Sequence, residues 1–129
     1  MNEKIFKDRT KSLALRVIRL TEALPKRNVA DVIGKQLLRS ACSIGANYRA
    51  ACRGRSRVDV TAKLSIVEEE TDESLYWMEL LVEGGIVSED KMKDLMSETK
   101  EILAMTVASI KTLRYKQQPL KNLPRPSRS

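Results

Sequence analysis

Residues 56–85 read SRVDVTAKLSIVEEETDESLYWMELLVEGG, a segment with a helix start, a helix stop and one apolar face between them. Ser56, followed three residues later by Asp59, has the spacing of a capping box that opens a helix. Gly84 and Gly85 form the stop. Between these signals, apolar and small residues recur every three or four positions, so the segment predicts a long amphipathic helix. Its predicted inward face is Val60, Leu64, Val67, Thr71, Leu75, Met78 and Val82.

Three further segments show helical periodicity. The first covers about residues 4–24 and ends before Pro25, which cannot continue a helix. The second covers about residues 28–53 with Asn28 as its cap, and the last covers about residues 88–113. Their predicted inward faces are Phe6, Leu13, Val17, Leu20 and Leu24; Ile33, Leu37, Ala41, Ile44, Tyr48 and Ala51; and Met92, Leu95, Thr99, Ile102, Thr106, Ile110 and Leu113.

Length and composition favour one helical domain. The chain has 129 residues, 42% of them hydrophobic and only 4% aromatic, which suits helices that pack through aliphatic side chains. Four helices with short turns predict an all-α, antiparallel, up-down-up-down four-helix bundle in residues 1–115. Residues 116–129 are basic and contain three prolines with little apolar surface, so we predict a flexible tail there.

The absence of histidine narrows the chemistry available to the chain. It excludes Ser-His and Cys-His nucleophile pairs, imidazole bases and the Glu-x-x-His ligands of di-iron bundles. We therefore predict a protein that is not an enzyme and carries no cofactor. No stretch reaches the roughly 18 apolar residues of a membrane span, and the N-terminus lacks the apolar core of a signal peptide. These features predict a cytoplasmic protein.

The two cysteines are expected to play a structural role. Cys42 and Cys52 lie on one predicted helix, about 15 Å apart at the usual helical rise, which is beyond disulfide reach. We predict that both are buried small hydrophobic residues.

Charge is distributed unevenly along the chain. Residues 1–57 carry 14 Lys and Arg against four Asp and Glu, a net charge of +10. Residues 58–113 carry five against 13, a net charge of −8, and residues 114–129 add five basic residues. A bundle with oppositely charged sides favours head-to-tail contacts between copies, which close into a ring or grow into a filament. For this chain we predict a ring.

A cationic arc lies on the second predicted helix, within roughly 80° and opposite the apolar face. The arc and the turn after it contain Lys35, Arg39, Arg49, Arg53, Arg55 and Arg57. Three interpretations are open: a solvated helix face, a site for nucleic-acid phosphates, or salt bridges to a neighbouring subunit.

The third predicted helix carries five carboxylates in six positions, from Glu68 to Glu73. Helical geometry places Glu70 and Glu73 on one side with Ile66, Trp77 and Leu81, outside the predicted core. Such a mixed apolar and acidic surface indicates a subunit interface. The alternative is a metal site built on Glu70 and Glu73, although a hard-metal site needs oxygen ligands from several elements.

Several segments resemble the four-helix-bundle family named for 23S rRNA intervening sequences. The resemblance covers roughly residues 4–113, and its more specific parts are Ala-Asn-Tyr at 46–48 and Tyr-Trp-Met-Glu-Leu-Leu at 76–81. Further matching parts are Phe6 and residues 9–18, 36–40, 43–51 and 63–75.

This resemblance implies a closed pentameric ring. It also implies a nucleic-acid partner, because the similar accessory variability proteins of diversity-generating retroelements bind nucleic acid and a reverse transcriptase through basic surface. By the same analogy, Asn47 and Glu69 would lie at polar positions inside or between subunits. Glu68 departs from the family pattern, which commonly has Lys there, so any salt bridge carried over to that position is in doubt.

These observations lead to three hypotheses. In the first, a non-catalytic ring binds RNA or DNA phosphates through the arginines of the arc, aided by Lys121, Arg125 and Arg128 of the tail. In the second, the arginines are used in subunit contacts, and the ring is a structural adaptor for a protein partner. The third is a carboxylate metalloenzyme. No base-reading motif is present, so sequence-specific recognition is not predicted.

Overall fold

In the computed structural model, which describes residues 2–117, the chain forms four helices. They are α1 (Glu3–Glu22), α2 (Asn28–Cys52), α3 (Arg57–Glu83) and α4 (Glu89–Gln117). Each helix packs against the next one along the chain, and α1 also contacts α4. With short connections between them, this arrangement confirms the predicted all-α four-helix bundle.

The tail prediction falls mainly on residues 118–129, which lie outside the described range. Helix α4 extends to Gln117, four residues past its predicted end. None of the helices within residues 2–117 is long and apolar enough to cross a lipid bilayer.

Polar side chains open three of the helices. The Asn2 side chain accepts a hydrogen bond from the Ile5 N–H at 3.0 Å, and the Ser56 hydroxyl accepts one from the Asp59 N–H at 3.1 Å. The Ser88 hydroxyl accepts a bond from the backbone one turn into α4. Each bond satisfies an N–H group that has no partner inside its helix.

Helix α2 begins differently from the prediction. Asn28 was expected to be the cap, but it is the first helical residue, and the preceding Arg27 makes no capping bond through its side chain. The end of α3 agrees with the Gly-Gly stop. Gly85 adopts a positive φ of 72°, a conformation that glycine reaches without steric cost.

The buried positions follow a seven-residue repeat, which is most regular in α2. There the fully or largely buried residues alternate in steps of four and three, the spacing of helices that supercoil around one another with a left-handed twist. They are Ala30, Gly34, Leu37, Ala41, Ile44, Tyr48 and Ala51. In α3 the same spacing connects Leu64, Val67, Thr71, Ser74, Met78 and Leu81.

Leu81 corrects the predicted outer surface of α3. A straight-helix projection placed it beside Glu70 and Trp77, but Leu81 is fully buried, whereas Val82, predicted to face inward, is only half-buried. The reason is the supercoil: a repeat of 3.5 residues drifts by about 20° per heptad from a straight helix of 3.6. Over the 27 residues of α3 this drift brings Leu81 into the core.

Hydroxyl groups in the core are satisfied locally. The buried threonines Thr71, Thr99 and Thr106 each donate a hydrogen bond to the carbonyl oxygen one turn earlier, at 2.6 to 2.8 Å. Between α2 and α3, the buried hydroxyls of Ser40 and Ser74 lie 2.8 Å apart. These bonds remove most of the cost of burying polar groups.

An ion pair joins the first helix to the last. The Arg9 guanidinium donates to both carboxylate oxygens of Glu98, at 2.9 Å and 2.6 Å, and Glu101 lies 3.7 Å away. The hydrogen bond from Arg9 to Glu98 raises the arginine's pKa. Carboxylates of α4 therefore neutralise part of the positive charge of α1 inside one chain.

The two cysteines occupy different environments. Cys52 is half-buried near the Tyr48 hydroxyl, and burial raises the pKa of its thiol. Cys42 is exposed, so the prediction that it is buried was wrong. Its position lies outside the core stripe of α2, on an open surface beside α1.

Candidate functional site

The two ends of the predicted cationic arc differ in their partners. Toward the start of α2, Lys35 pairs with Asp31 on its own helix at 3.1 Å, in an exposed contact that stabilises the protein little. Arg39 reaches across to α3. Toward the end of α2, Arg49 and Arg53 are exposed. The cations in the first half of the arc are therefore paired with carboxylates of the same chain, whereas those in the second half, called open here, form no ion pair with described residues.

Arg39 is the centre of a polar cluster between α2 and α3. Its guanidinium bonds to a Glu70 carboxylate oxygen at 3.1 Å and also contacts the Glu73 carboxylate. The Trp77 indole N–H donates to the same Glu73 oxygen at 3.1 Å. The structure thus joins one residue predicted for nucleic-acid binding to three predicted for the subunit interface.

The remaining predicted interface residues lie apart from this cluster. The Asn47 amide donates to the Ser43 carbonyl and hydroxyl, both at 2.9 Å, so it bonds within its own helix. Glu69 is exposed on the outer side of α3. Nearby, Ile66 is 37% exposed and Tyr76 52% exposed, and the Tyr76 ring packs edge-on against Trp77.

Three arginines lie around the end of α2, in and just after the open half of the cationic arc. Arg49, Arg53 and Arg55, hereafter the arginine cluster, are exposed, and none forms an ion pair with any residue between 2 and 117. Arg49 and Arg53 are one helical turn apart, and Arg55 lies in the connection to α3. Guanidinium groups without a carboxylate partner are suited to phosphate, which they bind with two parallel hydrogen bonds.

Arg57 has a structural partner. Its guanidinium donates to the backbone carbonyl oxygen of Lys116 at 3.0 Å, in the last turn of α4. This bond satisfies one carbonyl that has no partner in the helix and places a positive charge at the negative end of the helix dipole. Arg57 remains exposed, but part of its donor capacity is used within the bundle.

The prediction missed the contribution of α1 to this basic surface. Lys7 and Lys11 border the same concave surface as Arg49. Both lysines are one helical turn apart, next to the buried Phe6 and Thr10, so their common side was visible in the periodicity of α1. What the sequence alone could not show is that this side adjoins the end of the cationic arc on α2.

Two carboxylates of α3 are placed for ion pairing. Glu70 and Glu73 contact the Arg39 guanidinium, which occupies the position that a cation would take between them. In the part of the chain that the structure describes, no group of three or more Cys, Asp or Glu side chains is arranged to hold a metal ion.

The chain is similar to a known protein family and to several solved structures. The model of the family described as 23S rRNA-intervening sequence protein matches residues 3–108. Among solved structures, the chain is similar to a protein of unknown function from the S23 ribosomal protein family of Bacteroides thetaiotaomicron. That similarity has a TM-score of 0.80 and 33% identity, and it covers 86% of this chain and 99% of the other. Among curated proteins, none matches.

Proposed function

Because the chain belongs to the 23S rRNA-intervening sequence protein family, we propose that it is a non-catalytic, self-associating helical bundle that binds nucleic-acid phosphates through its basic surface. The basic surface consists of the arginine cluster together with the adjoining cations of α1. Binding would be electrostatic and independent of base sequence, since cations that replace the counterions of phosphates supply affinity without reading bases.

One observation carries this proposal: the protein pairs some of its arginines and leaves others open. Arg9 and Arg39 each bind carboxylates of a neighbouring helix, at 2.6 Å and 3.1 Å. The guanidinium groups of the arginine cluster form no ion pair with described residues, although the Arg55 backbone N–H donates to the Asp59 carboxylate at 3.3 Å. Three like charges within residues 49–55 disfavour one another, so a polyanionic partner would offset that repulsion.

Self-association is the second part of the proposal. The outer side of α3 presents the exposed side chains of Ile66 and Tyr76 beside several carboxylates. This acidic and apolar side complements the basic surface in charge, which supports contacts between identical copies. The family resemblance favours a closed ring of five subunits.

A second candidate function is a structural adaptor. The exposed aromatic ring of Tyr76 next to the half-buried Trp77 favours it, because aromatic side chains are enriched at protein interfaces. In this function the arginine cluster would form the subunit contacts, and the assembled ring would recruit a protein partner such as a reverse transcriptase.

Charge reversal distinguishes the two functions. The variant Arg49→Glu with Arg53→Glu reverses two charges of the cluster. If the cluster binds phosphates, this variant should lose its binding to labelled single-stranded RNA while its mass by light scattering stays unchanged. The adaptor function predicts instead that the assembly dissociates at moderate salt. A matched control replaces Lys93 and Lys100, two exposed lysines of α4, with Glu, and should keep most of the binding.

The family description refers to 23S rRNA, so RNA is the first nucleic acid to test, followed by single-stranded DNA. Wild-type protein that binds neither at low salt, or that binds with an affinity unaffected by salt, would exclude a phosphate site. In that case the adaptor function would be the remaining candidate.

A further inference from the structure

A groove runs along the outer side of the contact between α1 and α2. The two helices approach closely at Gly45, where an added Cβ would lie 3.2 Å from the Thr10 hydroxyl oxygen. Next to this contact, the small side chains of Ala14, Cys42 and Ala46 leave a space of about 460 Å³. The groove is open because the side chains beside this close contact are short.

Cations stand on both walls of this groove. Lys7 and Lys11 belong to the α1 wall, and Arg49 to the α2 wall. Lys11 and Arg49 have no ion pair with any residue the structure describes. Lys7 pairs only with the exposed carboxylate of Glu3, at 3.3 Å, a contact weak enough to be exchanged for a phosphate.

One carboxylate also borders the groove, and it is already neutralised. Asp8 pairs with Lys4 at 3.0 Å on the surface of α1. The groove therefore carries excess positive charge on its two walls, and the residues between the walls have small uncharged side chains. An apolar partner in the groove would bury the lysine charges without a counterion, which is unfavourable. An elongated anion would instead form ion pairs with them.

We propose that this groove holds one sugar-phosphate strand of a nucleic acid, with phosphates contacted by Lys11 and Arg49 from opposite walls. The inference rests on the proposed function and identifies where the strand lies. No aromatic side chain lines the groove among the described residues, so bases do not stack there, and contacts are made to the backbone. From the groove the strand would continue over Arg53 and Arg55.

Filling the groove without changing its charge gives the most specific test. Ala46→Leu places a larger side chain on the floor, and Ala46 is exposed, so the bundle should fold normally. We expect its affinity for a labelled single-stranded RNA to fall about tenfold, because displaced phosphates lose their cationic contacts. Ala104→Leu, a change of the same size at an exposed position of α4, should bind like the wild type.

Removing one wall charge tests the assigned contact. Lys11→Gln should lower the affinity and reduce the slope of log K against log salt concentration by about 0.7, the value for one phosphate contact on a single strand. Lys93→Gln removes the same charge from α4 and should leave the slope unchanged, apart from a small long-range effect.

Cys42 provides a reporter in the natural sequence. It is exposed on the floor of the groove, whereas Cys52 is half-buried at the end of α2. An uncharged maleimide should modify Cys42 at least about fivefold more slowly when RNA is saturating, since a bound strand covers the floor. Peptide mass spectrometry measures both cysteines in one sample, with Cys52 as the internal control.

The groove assignment is overturned if wild-type protein binds RNA in a salt-dependent way while Ala46→Leu and Lys11→Gln bind like their controls and Cys42 is not protected. That result would leave the proposed function standing on the arginine cluster alone. If the wild type binds no RNA or single-stranded DNA at low salt, both the groove assignment and the proposed function are wrong.

Discussion

Arg39 and Arg53 occupy similar angular positions on α2, yet they have different partners. A helical projection gives the direction of each side chain but not the element that lies beside it. Arg39 lies opposite Glu70 and Glu73 of α3, and its long side chain reaches them. Arg53 follows the last residue of α2, near the start of α3 and away from these carboxylates in its middle. Pairing of this kind depends on the neighbour, so sequence periodicity alone did not predict it.

The titration of Cys52 and Tyr48 gives a prediction at the residue scale. Burial raises the pKa of the Cys52 thiol above its usual 9.0 and also raises the pKa of the Tyr48 hydroxyl. As pH rises, the unfolded chain therefore loses these protons before the folded protein does. The free energy of unfolding should be independent of both groups below about pH 8 and should fall as pH rises above about 9.

Urea unfolding at about pH 7.5 and about pH 10 measures this effect. Other groups titrate in the same range, so the informative quantity is the difference between wild type and Cys52→Ser. The variant lacks the thiol and should lose less stability between the two pH values. Equal losses in the two proteins would contradict the assigned environment of Cys52.

At the scale of single helices, the sequence predicted the starts better than the ends. Start signals such as Ser56 and Ser88 act within one turn, so the local sequence contains them in full. The end of α4 depends on more distant contacts, including the bond from Arg57 to the Lys116 carbonyl. A terminus held by a residue 59 positions away cannot be located from the local pattern.

The supercoil explains the misplaced side of α3, and Leu81 tests it. Leu81→Ala should lower the free energy of unfolding by about 2 to 5 kcal/mol, because a fully buried leucine leaves a cavity when it is truncated. Leu15→Ala, at a leucine that is 44% exposed on α1, should cost less than about 1 kcal/mol.

Chemical denaturation of the two variants provides the comparison, together with light scattering. If Leu81 instead belonged to a subunit contact, its truncation would change the assembly mass while leaving the unfolding of each subunit nearly unchanged. That outcome would place Leu81 on the outer side of α3, as the straight-helix projection predicted.

At the scale of the whole molecule, the charge asymmetry is partly neutralised inside the chain. The bundle places cationic α2 next to anionic α3, and cationic α1 next to α4, which carries five acidic and six basic residues. Arg9 with Glu98 and Arg39 with Glu70 are the resulting ion pairs. The arginine cluster and Lys11 keep their positive charge without an ion pair among residues 2–117, which the net charges of the two halves did not reveal.

The acidic and apolar outer side of α3 predicts that the protein self-associates. Light scattering of purified protein should give a mass that is a fixed multiple of 14.6 kDa, and the family resemblance favours five subunits. Association through charged surfaces should weaken at high salt. A mass of one subunit at every concentration tested would contradict the proposed assembly, while leaving the groove available for binding.

The salt dependence of RNA binding tests the central claim most directly. Fluorescence anisotropy of a labelled single-stranded RNA should give an association constant whose logarithm falls linearly with log salt concentration. The three contacts of the arginine cluster and the one of Lys11 predict a slope of about −3, since each phosphate contact on a single strand contributes about −0.7. A slope near zero, or no binding even at low salt, would contradict a phosphate-binding surface on this bundle.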